Sequence, residues 1–343
     1  MTSLQKSITS LLAVIFLTGT GTYAFDLLNN IDEESVGKEY DKEIVRTYGI
    51  YNNDAIAEYV TKIGNRVLSK VVAPEYKYHF KVLDHEMVNA FALPGGYIYV
   101  TRGLLCMINS EASLAGVLGH EIGHVIRHHA VKQMEEKVGQ TLLALGGLAA
   151  SEEVRENAAA WLTLTSSISQ QINLGYGRLQ ENEADQIGML LSYEAGYDPN
   201  GIVDFLKSLR TKEKIGGQSY HSFQATHPDT IARIIEAEGK SGLLKNRDAK
   251  GKGFRKRYLD AIDGIQYGRP TWRGKTLPPF TIKVIQVSKG DTFRTLSKKF
   301  SGDQGMALEI ATLNGMNHND TLMPGYSIKV LVPEKSSNRV LQK

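Results

Sequence analysis

Apolar positions recur at helical spacing through 25–72, where Ile44, Val45 and Tyr48 are followed by Ile56, Val60, Ile63 and Val67. The period changes over 77–101. Tyr78, Phe80 and Val82 alternate, and Tyr97-Ile98-Tyr99-Val100-Thr101 is a β-rich run leaving the turn Pro94-Gly95-Gly96. A second helical stretch starts near Ser110-Glu111. Apolar pieces at 142–150 and 158–164 follow, split by charges at 152–157, and each is too short to span a bilayer. Core helices are the plain reading of these two; a cover over a cleft or a patch resting on a membrane is the other. Residues 178–195 form a further helix, with Gly196 placed to end it and Pro199 just beyond. Pro270, Pro278 and Pro279 mark a linker to a compact β-rich tail. The pattern predicts an α+β chain. A mostly helical domain over 25–275 carries a small β-sheet, a small domain covers 276–333, and 334–343 is a tail.

Composition adds limits. The 343 residues carry a net charge of only +3, which argues against a general nucleic-acid binder. Residues 8–17 are apolar or small, Lys6 precedes them, and Thr22-Tyr23-Ala24 offers a cleavage site, so 1–24 reads as a signal peptide. An uncleaved N-terminal anchor is the alternative; in both cases the chain is exported to the periplasm or cell envelope, without multiple membrane spans. Cys106 is the sole cysteine, so no disulfide forms within the chain, and its apolar neighbours make it a packing residue. The segment 245–257 has seven basic residues against Asp248, which suits a solvated loop or contact with an acidic partner or lipid.

Candidate chemistry lies in Leu118-Gly119-His120-Glu121-Ile122-Gly123-His124 and the histidines after it. On a helix His120 and His124 stand about 40° apart, one turn along one face, and can share a zinc ion. His128 lies about 12 Å along the axis from His120, and His129 falls on the opposite face, so both are assigned to packing or surface roles. Glu121 flanks the pair, aimed to exchange a proton with a water at such an ion rather than to ligate it. A third ligand is needed. Glu181, Ala184, Asp185 and Gly188 form one stripe of the 178–195 helix, and the small Ala184 and Gly188 permit close approach to Gly119 and Gly123. Glu183 is about 200° from Glu181 and faces elsewhere. Glu181 is therefore the expected third ligand, and Asp185 the acceptor that orients a ligand histidine.

These pieces resemble the zinc metallopeptidase family that includes the CAAX prenyl proteases and the HtpX-type heat-shock proteases, closest to its soluble periplasmic branch associated with outer-membrane protein quality control. The resemblance rests on 89–96, His120 to His124 with His129, Arg178-x-x-Glu181-x-x-Ala184-Asp185, and Thr226-His227-Pro228 with Arg233. It implies one zinc per chain and a metalloendopeptidase acting on unfolded or misassembled envelope proteins. It implies that Glu181 ligates and that His227 lies near the zinc, either as a fourth ligand or as a donor to an oxyanion. Arg233 would lie close by, and it is expected to help His227 steady the oxyanion. The strand after Gly95, Gly96 and Tyr97 would be the edge that receives an extended substrate. Residues 284–332 resemble a LysM module, a βααβ unit that binds peptidoglycan glycans, with Asp291 or Thr292 capping its first helix; a plain β-rich cap on the main domain is the other reading. Peripheral membrane contact is a further expected partner. Two other functions stay open: a wall-anchored chaperone with a latent metal site, and a zinc hydrolase of peptidoglycan cross-links.

Overall fold

A computed structural model describes residues 32–134, 136, 175–216, 223, 226–228, 230–247, 251–268, 271–272, 275–276 and 280–334. The expected signal peptide, the apolar pieces at 142–164, Pro270, Pro278, Pro279 and most of the 334–343 tail lie outside the described residues.

Two capped helices begin the fold. In α1 (Glu33–Tyr48) Asp32 accepts from Ser35 N, and in α2 (Asp54–Leu68) Asn53 accepts from Ile56 N, each side chain satisfying an orphan first-turn N–H. The buried face of α2 is Ile56, Val60, Ile63, Gly64 and Val67, as the periodicity predicts. A mixed sheet follows, formed by β1 (His79–Leu83), β2 (Ala90–Leu93) and β3 (Tyr97–Thr101) in the order β1-β3-β2. Side-chain alternation serves both faces. Ala90, Ala92, Ile98 and Val100 join the main core, while Phe91, Leu93 and Tyr99 pack with Tyr40 and Ile44 of α1.

The sheet corrects one expectation. β3 is central rather than an edge: β1 pairs with it in parallel and β2 pairs antiparallel. The tight turn at 94–96 folds β2 back on β3, which leaves β2 at the margin of the sheet beside the histidine-bearing helix. Gly95 (φ 72°) and Gly96 (φ 88°) allow that turn, and a Cβ on either would strike the chain's own backbone at Glu33 or Lys77.

After α3 (Arg102–Met107) comes α4 (Glu111–Ile126), capped by Ser110 and buried from Glu111 to Val125. A helix covered on all sides needs apolar or small residues all round, and α4 has them except at its functional positions and at Glu111, which is paired with Tyr59 and Arg257. Around it pack α2, β2, α5 (Arg178–Glu194) and α6 (Asn200–Gly216). Gly196 (φ 87°) ends α5, with Gly196 N donating to Tyr193 O and Tyr197 N to Ser192 O. Helix α7 (Thr230–Arg247) packs on α5 and α6, and α8 (Arg255–Ile262) leads to β4 (Gln266–Tyr267).

The short hairpin β5 (Thr271–Trp272) and β6 (Lys275–Thr276) precedes a βααβ unit of β7 (Phe280–Gln286), α9 (Phe293–Ser301), α10 (Ala307–Leu313) and β8 (Ser327–Pro333). Thr292, one of the two candidate caps, accepts from Thr295 N, whereas Asp291 accepts from Ser288 N. This unit is joined to the main domain by more than a linker. β4 adds to its sheet beside β7, and Phe293, Leu296, Ile310, Leu313 and Val330 are continuous with the core of α3 and α4.

Lys329 locks the junction. Its ammonium is fully buried and donates to the carbonyls of Cys106 (2.6 Å), Ile108 (2.9 Å) and Met107 (3.4 Å), the exposed acceptors of the α3 C-terminus. Burial holds its pKa well below the usual lysine value. Lys329→Ala leaves these acceptors without their donor and opens a cavity. It is expected to lower unfolding stability by about 2–4 kcal/mol, read from the denaturation midpoint.

Candidate metal centre

The face of α5 that meets α4 is made of small residues, and this sets the site. A Cβ on Gly188 would stand 2.4 Å from His120 N, and one on Gly123 would stand 3.1 Å from Ala184 Cα. Backbones this close bring Glu181, two turns before Gly188, opposite the two histidines of α4.

His120, His124, Glu181 and His227 each present a ligand atom within 4.8 Å of all the others, and all four are buried. His120 Nε2 lies 3.0 Å from His124 Nε2 and 3.2 Å from His227 Nδ1. Glu181 Oε1 lies 2.9 Å from His227 Nδ1 and 3.4 Å from His124 Nε2. A tetrahedral zinc with ligands at about 2.0–2.1 Å has edges of roughly 3.3 Å, close to these separations. His120 Nδ1 sits 2.7 Å from Asp185 Oδ1 and so carries its proton there, which turns the Nε2 lone pair into the cluster. Converging imidazole nitrogens and a carboxylate suit a cation between them.

Charge points the same way. Glu121, Glu181 and Asp185 bring three carboxylates into a buried volume where Arg233 supplies one positive charge, and a dication balances the set. Both carboxylate oxygens of Glu121 are buried without a hydrogen-bond partner among the described residues, with Oε1 3.6 Å from His227 Nε2. Burial lifts the Glu121 pKa above the ordinary value, partly offset by His227 and His120. Burial would also raise Glu181 and Asp185, but His227 and Arg233 outweigh it for Glu181, and Arg233 and His120 for Asp185; both are held low and ionised. His124 is driven well below the usual histidine range by burial, which keeps it a neutral ligand. These residues fit zinc.

Three expected placements change or sharpen. His227 comes into the cluster through Nδ1, at the vertex of a fourth ligand. Arg233 does not project a free guanidinium toward an oxyanion. It holds Asp185 through Nε (2.7 Å) and Nη2 (2.8 Å), and Nη1 meets Glu181 Oε2 (2.5 Å) and the His227 carbonyl (3.3 Å). Two neighbouring carboxylates claim it, so its place is to position the ligand set. His129 is neither a surface nor a plain packing residue. The helix stops at Ile126, His128 takes φ 53°, and helical residues resume at His129, whose Nδ1 lies 2.9 Å from His124 Nδ1. His128 itself leaves the cluster and pairs with Glu33 at 2.7 Å.

Gly95 and Gly96 are buried in the β2–β3 turn, and Tyr97 stacks on His79. Nearer the cluster is a recess between the β2 margin and the end of α4, lined by Ala92, Leu93, Pro94, His124, His128 and Tyr176. Two rings wall the histidines: Tyr176 stacks on His124 at 4.0 Å and Phe223 on His227 at 4.3 Å. Neither was legible as a site residue. Only spacing hints at them, since Tyr176 lies five residues before Glu181 and Phe223 four before His227.

Comparisons with known proteins agree with this geometry. Residues 54–241 match peptidase family M48. The chain is 26% identical over 233 residues to the beta-barrel assembly-enhancing protease of Escherichia coli (strain K12), covering 67% of this chain and 48% of that protein. It is 31% identical over 234 residues to the putative beta-barrel assembly-enhancing protease of Vibrio cholerae, covering 66% and 48%. It is 30% identical over 215 residues to the mitochondrial metalloendopeptidase OMA1 of Schizosaccharomyces pombe, covering 60% of each. The chain spans about half the length of the bacterial relatives.

Proposed function

The chain belongs to peptidase family M48, a family of zinc metallopeptidases, and from that premise we propose that it is an exported zinc metalloendopeptidase acting on unfolded or misassembled envelope proteins. The observation that carries the reading is the buried, converging set of His120, His124, Glu181 and His227 beside the Glu121 carboxylate, which has no hydrogen-bond partner among the described residues. Bound zinc supplies Lewis-acid polarisation of a carbonyl and lowers the pKa of a water toward about 7. Glu121 takes the proton from the attacking water and returns it to the leaving amine, and its raised pKa suits both transfers. Asp185 and Arg233 hold His120 and Glu181 in register.

His227 is the switch in this reading. With Nδ1 in the cluster it closes the fourth position and holds the enzyme latent. An extended substrate pairs along the β2 margin, where backbone pairing accepts many sequences with little side-chain selection. Gly95, Gly96 and Tyr97 contribute by shaping the turn that ends this margin.

Export rests on the N-terminal apolar run, and among the described residues no helix is long and apolar enough to cross a membrane. The names of the bacterial relatives favour substrates connected with β-barrel assembly. The βααβ unit is proposed to contact peptidoglycan in the manner of a LysM module.

Metal analysis of the purified protein beside Glu181→Ala tests the site: about one zinc per chain is expected for the first and a large loss for the second. His227→Ala is expected to raise cleavage of an unfolded casein substrate several-fold, as removal of a closing ligand should. If neither wild type nor His227→Ala cleaves any protein, the wall-anchored binding protein with a latent metal site becomes the better account.

A further inference from the structure

The two ligand histidines of α4 are backed by different groups. Behind His120 stands the Asp185 carboxylate at 2.7 Å, held in turn by Arg233 at 2.7 and 2.8 Å. Among the described residues no carboxylate stands behind His124 Nδ1. Its Nδ1 faces the Nδ1 of His129 at 2.9 Å, His129 Nε2 faces Glu183 Oε2 at 3.2 Å, and Arg127 holds Glu183 at 2.7 Å. His129 is 1% exposed, so water cannot stand in for either contact.

Each nitrogen in this chain of contacts has one consistent role. His124 can offer its Nε2 lone pair to the cluster only if its proton sits on Nδ1. That N–H then donates to His129 Nδ1, which must be a bare lone pair. The His129 proton is thereby left on Nε2, where Glu183 accepts it. Reversing any one tautomer sets two protons, or two lone pairs, against each other somewhere along the line.

We propose that His129 is a positioning residue for the metal site: it accepts the Nδ1 proton of His124, fixes that ring as a ligand, and passes the polarisation on to Glu183 and Arg127. The arrangement follows from where the acids of α5 point. Asp185 shares the inward stripe with Glu181 and reaches His120 directly. Glu183 lies off that stripe, on the partly exposed side of α5, and an intervening imidazole spans the gap to His124. The three acids of this turn then have three jobs: Glu181 ligates, Asp185 orients His120, and Glu183 orients His124 through His129. This inference rests on the metal site proposed above.

The test is zinc affinity, measured by competition with a chromophoric chelator on the full chain. His129→Phe keeps a ring of similar size beside Tyr176, 6.0 Å away, but has no acceptor. It is expected to weaken zinc binding by about 10–100-fold while the unfolding midpoint of the metal-free protein holds. His129→Asn restores an acceptor near the Nδ1 position and should recover most of that loss, which a purely packing role for the ring would not allow. Wild-type affinity in His129→Phe, or equal losses in the Phe and Asn variants, overturns the proposal. Should His129→Phe fail to fold, Glu183→Ala decides, because that side chain is 38% exposed and its removal spares the core. A several-fold loss of affinity supports the relay, and no change overturns it. A wild-type protein that binds no zinc would sink the metal site itself, whereas failure of the variants alone sinks only the relay.

Discussion

Glu121→Gln is expected to leave zinc bound and to reduce peptide hydrolysis by about 10²–10⁴-fold. The two side chains have nearly the same shape, so packing around α4 is preserved. Glutamine has no basic oxygen that can take a proton from water and deliver it to a leaving amine. Glu121 also stands outside the set of ligand atoms, so metal content should not fall. Stability should hold or rise, because burial disfavours the ionised carboxylate and the amide carries no charge. The pH dependence follows with its sign. Cleavage by the wild type needs Glu121 ionised, so kcat/KM falls as pH drops through a pKa raised above the ordinary glutamate value. In the residual activity of the variant that limb is absent. Single-turnover cleavage, zinc stoichiometry, thermal unfolding and the pH profile read these four outcomes. Undiminished cleavage would reject Glu121 as the base, and loss of zinc would make it a ligand instead.

Gly188→Ala should damage the fold and the metal site together. Its Cβ would stand 2.4 Å from His120 N and 2.6 Å from Gly119 C, and backbone atoms cannot step aside as a side chain can. Helices α4 and α5 must separate, at a cost of about 1–3 kcal/mol. The same movement carries Glu181 away from His120 and His124, so zinc affinity and activity fall together with stability. Gly239→Ala is the matched control. It lies in the exposed face of α7 with nothing within 4 Å of the added Cβ, and better helix propensity should stabilise it by about 0.5–1 kcal/mol. Thermal unfolding with and without chelator separates the two. A Gly188→Ala protein as stable and as zinc-competent as wild type would contradict the close clamp of the two helices.

Much of the site was readable one residue at a time because it depends on helix geometry alone. The one-turn spacing of His120 and His124, the flanking Glu121 and the stripe of Glu181, Ala184, Asp185 and Gly188 follow from about 100° per residue, and the structure places these side chains as that angle requires. His129 escaped the same reasoning because the angle ceases to apply after Ile126. A left-handed φ at His128 interrupts the helix, and no periodicity encodes the direction in which the next helical residues set off. The Glu183 side chain was correctly turned away from the ligand stripe, but its task became visible only once His129 had come round to meet it.

What the sequence determined by itself was the local chemistry: which residues share a helix face, which glycines permit close approach, where helices are capped, and which family the ordered motifs resemble. The tertiary structure alone decided the pairings between distant segments. It made β3 central and β2 the margin, gave Arg233 to two carboxylates, brought His227 in through Nδ1, and set Lys329 under the end of α3. The physical reason is one of range. Helix and turn geometry is set by neighbours a few residues apart, whereas the partner of a buried charge is chosen by burial, through whichever donor or acceptor the packed core brings within hydrogen-bond reach.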